Sequence, residues 1–152
     1  MKKLLLLSLL ALYACDKPFC YEPSNDEIAG MVVKTLGDQT YLAYDVERGE
    51  DLSRFGIHIT NDEQYRRVFA HCCAAKLDSI DFTQYDILGL STVNKGQRST
   101  YLREAHLDES SKKVIYTVTE RYCNRSSPVE GRGNFVLITK VPPGYTVEYI
   151  RK

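Results

Sequence analysis

The sequence has no tryptophan, only two methionines and no excess of charge, because 20 Lys and Arg residues balance 20 Asp and Glu residues. A near-neutral chain lacks the basic surface that nucleic acids and anionic lipids attract, so the composition argues against both as partners. The chain also has no internal repeat and no long low-complexity tract. These absences favour a single domain built around one core.

Motifs of catalysis and metal binding are also missing. The sequence contains no GxSxG, no HExxH, no phosphate-binding glycine loop and no calcium-binding loop. The three histidines, His58, His71 and His106, lie far apart in sequence. Glu104 and Glu120 could meet across a hairpin, but a pair of carboxylates needs a cleft to act as a glycosidase. We therefore expect a protein that is not an enzyme and that uses no cofactor.

Apolar runs are short throughout, and the longest of them, at residues 4–12, follows Lys2 and Lys3. A helix of this run would span roughly 14 Å, too short to cross a hydrocarbon core of about 30 Å. The layout is that of a secretory leader. Residues 12–15 (LYAC) resemble the lipobox of bacterial lipoproteins, in which the cysteine is acylated and becomes the first mature residue. We expect residues 1–14 to be a lipoprotein signal peptide and Cys15 to carry the lipid, with palmitate among its acyl chains.

The segment after Cys15 looks like a connector. Residues 15–27 contain Pro18 and Pro23 and show no apolar periodicity, so we expect a tether between the lipid and one globular domain at residues 28–152. The alternative is an ordinary signal peptide, cut elsewhere, that leaves Cys15 free. With the lipid anchor, the expected location is the bacterial cell envelope, at the outer membrane rather than the inner one.

The sequence has five cysteines, which is an odd number for an exported chain. Lipidation of Cys15 would leave four disulfide candidates, which allow three pairings: Cys20, Cys72, Cys73 and Cys123. Adjacent cysteines rarely bond, because the geometry strains the peptide between them, so we expect Cys123 to pair with Cys72 or Cys73. A metal site formed by His71 and these cysteines is the alternative. Zinc ligands are usually spaced by two to four residues, so we expect no metal.

Apolar periodicity predicts a mostly β fold. β-rich runs at residues 31–36 and 40–46 flank Gly37 and suggest a hairpin. The further predicted strands are residues 55–59, 85–90, 100–107, 113–123, 135–141 and 145–150. Pro143 and Gly144 have the residue types of a type II turn before the last strand. The short links between the last strands favour antiparallel pairing.

One helix is predicted near residues 61–74. Residues 60–63 (TNDE) provide a capping box. The residues that follow at i, i+3, i+4 and i+7 form an apolar stripe: Tyr65, Val68, Phe69 and Cys72. This spacing directs Cys72 to the core and Cys73 to its edge. The predicted fold class is therefore α+β, with a predominantly antiparallel sheet and one capped helix.

The order of these elements resembles a known family. A strand with Ile57 and Ile59, a capped helix, a hairpin, Cys123 and a closing strand at residues 136–138 are similar to the PrcB-like bacterial lipoproteins. That family is named for a subunit said to stabilise a surface protease complex, and the resemblance covers about residues 55–150. A glycine pair expected near the central hairpin is replaced by residues 98–101 (RSTY). The resemblance implies a non-catalytic accessory domain held at an envelope surface.

Tyrosine and arginine suggest an interface. The chain has 11 tyrosines, several of them beside arginines, and both residue types are enriched where proteins meet. Residues 124–134 form the one predicted loop that is too long for a tight turn, and loops of this length are either mobile or functional. The interface candidates are Arg125, Arg132, Tyr122 and Tyr149.

One candidate modification site lies outside that loop. Ser79, in the sequence Asp78-Ser79-Ile80, matches a short O-glycosylation pattern of exported proteins in some bacteria. From the sequence we expect a protein-binding or accessory domain whose partner is an envelope or secreted protein. A binder of a small molecule or glycan is the first alternative, and an unrecognised hydrolase is the second.

Overall fold

The computed structural model describes Cys20 and residues 25–37, 41–45, 47–73, 77–123 and 131–152. The predicted signal peptide and Cys15 lie outside these residues. In chain order the elements are β1 (Glu27–Gly30), β2 (Val32–Leu36), β3 (Tyr44–Asp45), β4 (Glu50–Asp51), β5 (Ile57–Ile59), α1 (Asp62–Val68), α2 (Ala70–Cys73), β6 (Tyr85–Val93), β7 (Thr100–Asp108), β8 (Lys113–Arg121), β9 (Gly131–Thr139) and β10 (Thr146–Arg151). Within the described residues, no helix has the length and apolar character needed to cross a membrane.

The strands form two four-stranded sheets and one small ribbon. The first sheet has the order β1-β7-β8-β10, the second has the order β2-β9-β6-β5, and β3 pairs with β4 in the ribbon. Every pair in the second sheet is antiparallel. In the first sheet β7 and β8 form an antiparallel hairpin, while β1 and β10 run parallel to their neighbours. The predicted α+β class with mainly antiparallel sheet is confirmed.

The second sheet lies between two hydrophobic clusters. On one face, Leu88 and Val136 pack against residues of the first sheet such as Tyr116. On the other face, Ile87 and Phe135 pack against helix α1 and the segments beside it. Because successive side chains of a strand point to opposite faces, β6 and β9 must be apolar on both. The prediction that residues 135–141 include a central strand is confirmed.

Strands β6 and β9 are longer than their apolar stretches. They pair from Tyr85 and Thr139 at one end to Val93 and Gly131 at the other. The prediction began β9 at Phe135, because the four residues before it are polar or glycine. The difference matters for function, since it moves Arg132 from the predicted loop into a strand.

The two sheets are joined at both sides of the sandwich. At one side the chain passes directly from β1 to β2 through Met31, whose amide donates to the Ala105 carbonyl at 2.7 Å and whose carbonyl accepts from Thr139 at 3.3 Å. At the other side Gly56, at a φ of 97°, lies against the Tyr149 ring, where a Cβ atom would clash. These contacts fix the sheets against each other.

Two predicted pairings are wrong. The runs at 31–36 and 40–46 do not form a hairpin, because β2 pairs with β9 and β3 pairs with β4. The turn before the last strand does form, with Gly144 at a φ of 83° and the Tyr145 amide donating to the Pro142 carbonyl at 3.2 Å. It leads β10 into the other sheet, however, where β10 pairs in parallel with β8.

Helix α1 forms as predicted but with a shifted cap. The side chain of Asn61 accepts from the Gln64 amide at 2.9 Å, and the Gln64 side chain accepts from the Thr60 amide at 3.0 Å. The cap therefore lies one residue later than the predicted box. Asn61 is the better cap here because its oxygen reaches the amide three residues on.

The end of the helical region differs from the prediction. The stripe residues Tyr65, Val68 and Phe69 are buried as predicted. The helix is interrupted at Phe69, where φ is −104°, and a second short helix follows. Because of this break, the residues after Phe69 are rotated about the helix axis relative to those of α1. Cys73 is therefore buried and Cys72 is exposed, the reverse of the prediction.

Candidate functional site: an arginine-walled cavity

A cavity of about 460 Å³ opens where the β6–β7 connection meets the start of β9. The connection contributes Gln97, Arg98 and Ser99, and β9 contributes Arg132. Leu42, from the segment before β3, lies at the same cavity. We call this feature the Arg132 cavity.

The wall of the Arg132 cavity is built on one shared carboxylate. Asp26 Oδ2 accepts from Arg132 Nη2 at 2.6 Å and from Arg103 Nη1 at 2.9 Å. The other oxygen, Oδ1, accepts from the Tyr101 amide at 3.0 Å. Arg103 is only 3% exposed, and a buried arginine of this kind needs a charged partner. Asp26 therefore joins the segment before β1 to strands β7 and β9.

A buried network holds Arg103 from its other side. Arg103 Nε donates to Asn134 Oδ1 at 3.0 Å, and Asn134 Nδ2 donates to the Leu90 carbonyl at 3.1 Å. The Tyr116 hydroxyl donates to the Asn134 carbonyl at 3.1 Å. Burial raises the pKa of Tyr116, so its hydroxyl stays protonated and remains a donor. The network explains why β9 continues into polar residues, because Asn134 satisfies groups of β6, β7 and β8.

The guanidinium of Arg132 is held in place by its contacts, and one of its N–H groups has no acceptor among the described residues. Its guanidinium carbon lies 4.8 Å from the centre of the Tyr101 ring, within the range of a cation–π contact. Burial raises the pKa of Tyr101, which is 2% exposed. Arg132 Nε is buried, and it has no hydrogen-bond acceptor in the part of the chain that the structure describes.

A disulfide holds the second arginine of the cavity. Arg98 Nη1 donates to the Cys20 carbonyl at 2.9 Å, and Cys20 is bonded to Cys123 with a Cα–Cα distance of 5.3 Å. The Cys123 amide in turn donates to the Gln97 carbonyl at 3.2 Å. The bridge therefore fastens the connection that carries Arg98.

The other two cysteines among the described residues bond to each other. Cys72 and Cys73 form a vicinal disulfide at the end of α2, with a Cα–Cα distance of 3.7 Å. The predicted bridge from Cys123 to this pair is wrong, because Cys123 follows β8 at the Arg132 cavity while the vicinal pair lies in the helical layer. Among the described residues, no group of three or more His, Cys, Asp or Glu side chains is placed to hold a metal ion.

Peptide mapping under non-reducing conditions should find Cys20 linked to Cys123 and Cys72 linked to Cys73. Each pair is adjacent in the fold, and the two pairs belong to different layers, so exchange between them requires unfolding. The protein should be alkylated before digestion to prevent thiol–disulfide exchange. A peptide that joins Cys123 to either member of the vicinal pair would contradict this connectivity.

The structure places the remaining interface candidates differently. Tyr149 is half-buried, with its ring centre 6.2 Å from that of Tyr116, and burial raises the pKa of its hydroxyl. Tyr122 is half-buried beside the bridged Cys123. Ser79 is exposed, and Arg125 lies outside the described residues. Of the three interface candidates within the described residues, Arg132 is the one that lines the cavity.

A buried carboxylate, that of Asp86, joins groups at the opposite end of the second sheet. Asp86 accepts from Lys140 Nζ at 2.7 Å, from the Val141 amide at 3.0 Å, and is hydrogen-bonded to His58 Nε2 at 3.1 Å. Burial alone would raise the pKa of Asp86, but these hydrogen bonds outweigh it and hold the pKa below its ordinary value. Because Asp86 is 1% exposed, this cluster is a structural clamp rather than an open site.

Sequence reasoning missed Asp26, Arg103 and Asp86. One signal was present for Arg103, which follows Tyr101 and precedes Ala105 in the same period-two pattern of buried residues. A charged residue at an inward position of a strand indicates a buried partner. The partner itself had no sequence signal, because Asp26 lies 77 residues away.

The chain matches no known protein family, no curated protein and no solved structure. The resemblance to PrcB-like lipoproteins therefore stays a prediction.

Proposed function

We propose that this protein is a lipid-anchored, non-catalytic domain of the bacterial envelope that binds another protein at the Arg132 cavity. The observation that carries the proposal is a concave site lined by two arginines, of which Arg132 bonds to Asp26, the partner of the buried Arg103, and Arg98 bonds to the Cys20 carbonyl. Its volume of about 460 Å³ falls in the range of about 300 to 1,000 Å³ that is usual for binding pockets. Arginine is also among the residues that contribute most to protein interfaces.

The chemistry of the lining supports binding rather than catalysis. The described lining residues carry guanidinium, amide, hydroxyl and apolar groups, with no carboxylate, thiol or imidazole among them. The Ser99 hydroxyl donates to Glu120 at 2.6 Å, and the same carboxylate oxygen accepts from the Lys95 amide at 2.7 Å. Those bonds stabilise the turn of the connection. A nucleophile needs a neighbouring base with an orienting group, and the described lining offers no such set.

Apolar residues beside the arginines favour a protein as the ligand. Leu42 is 57% exposed at the cavity, and Val93, equally exposed, pairs with the lining residue Gly131. Exposed aliphatic side chains next to arginine combine the two components of a protein interface, apolar area and directed hydrogen bonding.

A glycan is a weaker candidate for this cavity. Sugar-binding sites of the kind considered from the sequence need tyrosine rings and side-chain amides on a concave surface. Gln97 supplies an amide, but the Tyr101 ring is almost fully buried and lies against the guanidinium of Arg132. The ring is therefore not open to a sugar.

Site-specific photo-crosslinking tests the proposed function. A benzophenone amino acid placed at position 42 of the full chain, in its native envelope, should give an adduct with one defined envelope or secreted protein. The matched control is position 109, because Glu109 is exposed in the turn at the far end of the β7–β8 hairpin. An absence of adducts at position 42, or the same adducts at both positions, would overturn the proposal.

A further inference from the structure

The Arg132 cavity carries an excess of positive charge. Arg98 and Arg132 line it, and Arg103 lies directly behind its wall. Among the described residues, Asp26 is the one carboxylate that pairs with any of these three arginines. Arg98 bonds to a neutral carbonyl, which leaves its charge unbalanced. Glu120, which bonds to Ser99 and to the Lys95 amide, brings a second carboxylate close to the cavity, so three positive charges stand against two negative ones.

Both oxygens of Asp26 already accept hydrogen bonds. One of its oxygens already accepts from two arginines and the other accepts from the Tyr101 amide. Arg132 nevertheless keeps a buried Nε–H group without an acceptor among the described residues. A buried donor of this kind costs free energy until an acceptor reaches it. The two arginines that line the site, of which only Arg132 pairs with a carboxylate, make it complementary to an anion.

The guanidinium groups suit an anion that presents two oxygen atoms. A guanidinium group presents its donors in a rigid fork that matches the two oxygens of a carboxylate. Arg132 is already oriented by Asp26 and by the Tyr101 ring, and Arg98 is held through Cys20. Groups held in place before binding lose little freedom when the ligand arrives, so the affinity of such a site is higher.

An exposed apolar side chain at the cavity narrows the class of ligand further. Leu42 is exposed beside the arginines, so a ligand gains most if it has an apolar group close to its anionic group. A peptide chain end with an aliphatic last residue has this arrangement, because the carboxylate and the side chain are bonded to the same carbon. Capture of a terminal carboxylate is an established way for proteins to recognise peptides.

We propose that the Arg132 cavity binds the free carboxyl terminus of a partner protein that ends in an aliphatic residue. In this complex Arg132 and Arg98 hold the terminal carboxylate and Leu42 contacts the last side chain. The proposal rests on the proposed function, because it names the chemistry of the partner at the same site.

Small probes test this chemistry directly. The full mature chain with Cys15→Ser, labelled with 15N, is titrated with N-acetyl-leucine while the amide signals of Gln97 and Ser99 are followed. The dissociation constant is expected on the order of 1 mM, as befits a ligand of this size. N-acetyl-leucinamide, which lacks the carboxylate, should bind about tenfold more weakly or not at all.

Three further probes separate the possible anions. Acetyl-aspartamide carries its carboxylate on the side chain, glucuronate carries one on a sugar, and inorganic phosphate carries none. Each of them should bind more weakly than N-acetyl-leucine. Tighter binding by any of the three, equal binding of N-acetyl-leucine and its amide, or an absence of shifts would each overturn the proposal.

Substitutions test whether the changes in the amide signals come from ligand bound at Arg98 and Arg132. Arg98→Gln and Arg132→Lys should each weaken N-acetyl-leucine binding about tenfold, since each removes charged or forked hydrogen bonds. The control is Arg66→Gln, because Arg66 is an exposed arginine that pairs with Asp62 on helix α1. Its binding should match that of the parent chain. A dispersed amide spectrum shows that a variant is folded. If Arg132→Lys is not folded, the result for Arg98→Gln decides the test. Unchanged binding by folded Arg98→Gln contradicts the proposal.

The two proposals fail in different ways. Crosslinks from position 42 combined with no response to N-acetyl-leucine would leave the protein-binding function intact and remove the chain-end assignment. A response to N-acetyl-leucine combined with no crosslinks would show a carboxylate site and would contradict the protein-binding function.

Discussion

Replacing Phe69 with Ala will lower the free energy of unfolding by about 4 kcal/mol. Phe69 is fully buried between the helical layer and the second sheet. Its ring centre lies 5.0 Å from that of Phe135, 4.8 Å from that of Tyr41 and 5.5 Å from that of Tyr65. Strand β9 is fixed between two neighbouring strands, so the sheet cannot move to fill the space that Ala would leave.

Equilibrium denaturation by urea, with the disulfides intact, measures this loss. Phe55→Ala is the matched control, because Phe55 is 81% exposed and the same substitution there should change the free energy of unfolding by no more than about 0.5 kcal/mol. A loss below about 1 kcal/mol for Phe69→Ala would mean that the helical layer is loosely packed.

The second large effect is expected at Asp86. Asp86→Ala should lower the free energy of unfolding by about 3 kcal/mol, the lower end of the range for breaking a buried charged pair. The substitution leaves the buried Val141 amide without its acceptor and Lys140 without its carboxylate. Lys140 is partly exposed and can turn to water, which is why the expected loss is not larger.

A surface pair provides the control for Asp86. Asp78 bonds to Lys34 at 3.0 Å, but both side chains are about half exposed. Exposed pairs contribute little, so Asp78→Ala should change the free energy of unfolding by less than about 1 kcal/mol. Equal losses for the two variants would show that Asp86 is not a clamp.

The contribution of Asp86 should depend on pH in a defined direction. Its pKa in the folded protein is lowered, so the folded state favours the ionised form. The stabilisation is therefore complete above the pKa of the unfolded chain, about 3.9, and is lost as pH falls through the folded-state value. The difference in free energy of unfolding between the parent chain and Asp86→Ala should shrink as pH falls below about 4. A difference that grows in acid would contradict the lowered pKa.

Local features of the fold were predictable from the sequence. The β7–β8 hairpin, the turn at Gly144 and the buried stripe of α1 depend on neighbours within a few residues. Strand partners depend on the whole chain instead, which is why the pairing of β2 with β9 and of β10 with β8 was missed. A β-rich run indicates that a strand forms but not which edge it joins.

The candidate site was predictable only in part. Arg132 was selected for its residue type, yet its partner Asp26 had been assigned to the tether, 106 residues away in sequence. Asp26 pairs with two arginines, and Glu27 begins β1, so the last residues of the predicted tether contact the domain. Composition alone marked that segment as a connector, because an isolated carboxylate gives no sign that it will pair with arginines of the domain.

The Cys20–Cys123 bridge also determines how mechanical force would pass through an anchored domain. If the chain is held at Cys15, tension reaches Cys20 first and crosses the bridge to Cys123, which follows β8, an interior strand of the first sheet. Asp26 and β1 lie beyond Cys20 and are thereby shielded from the pull. Without the bridge, the same pull would enter through Asp26 and draw it away from Arg132. Such a load would therefore act on the side of the cavity that carries Gln97 and Arg98, which bond to Cys123 and Cys20, and not on Asp26.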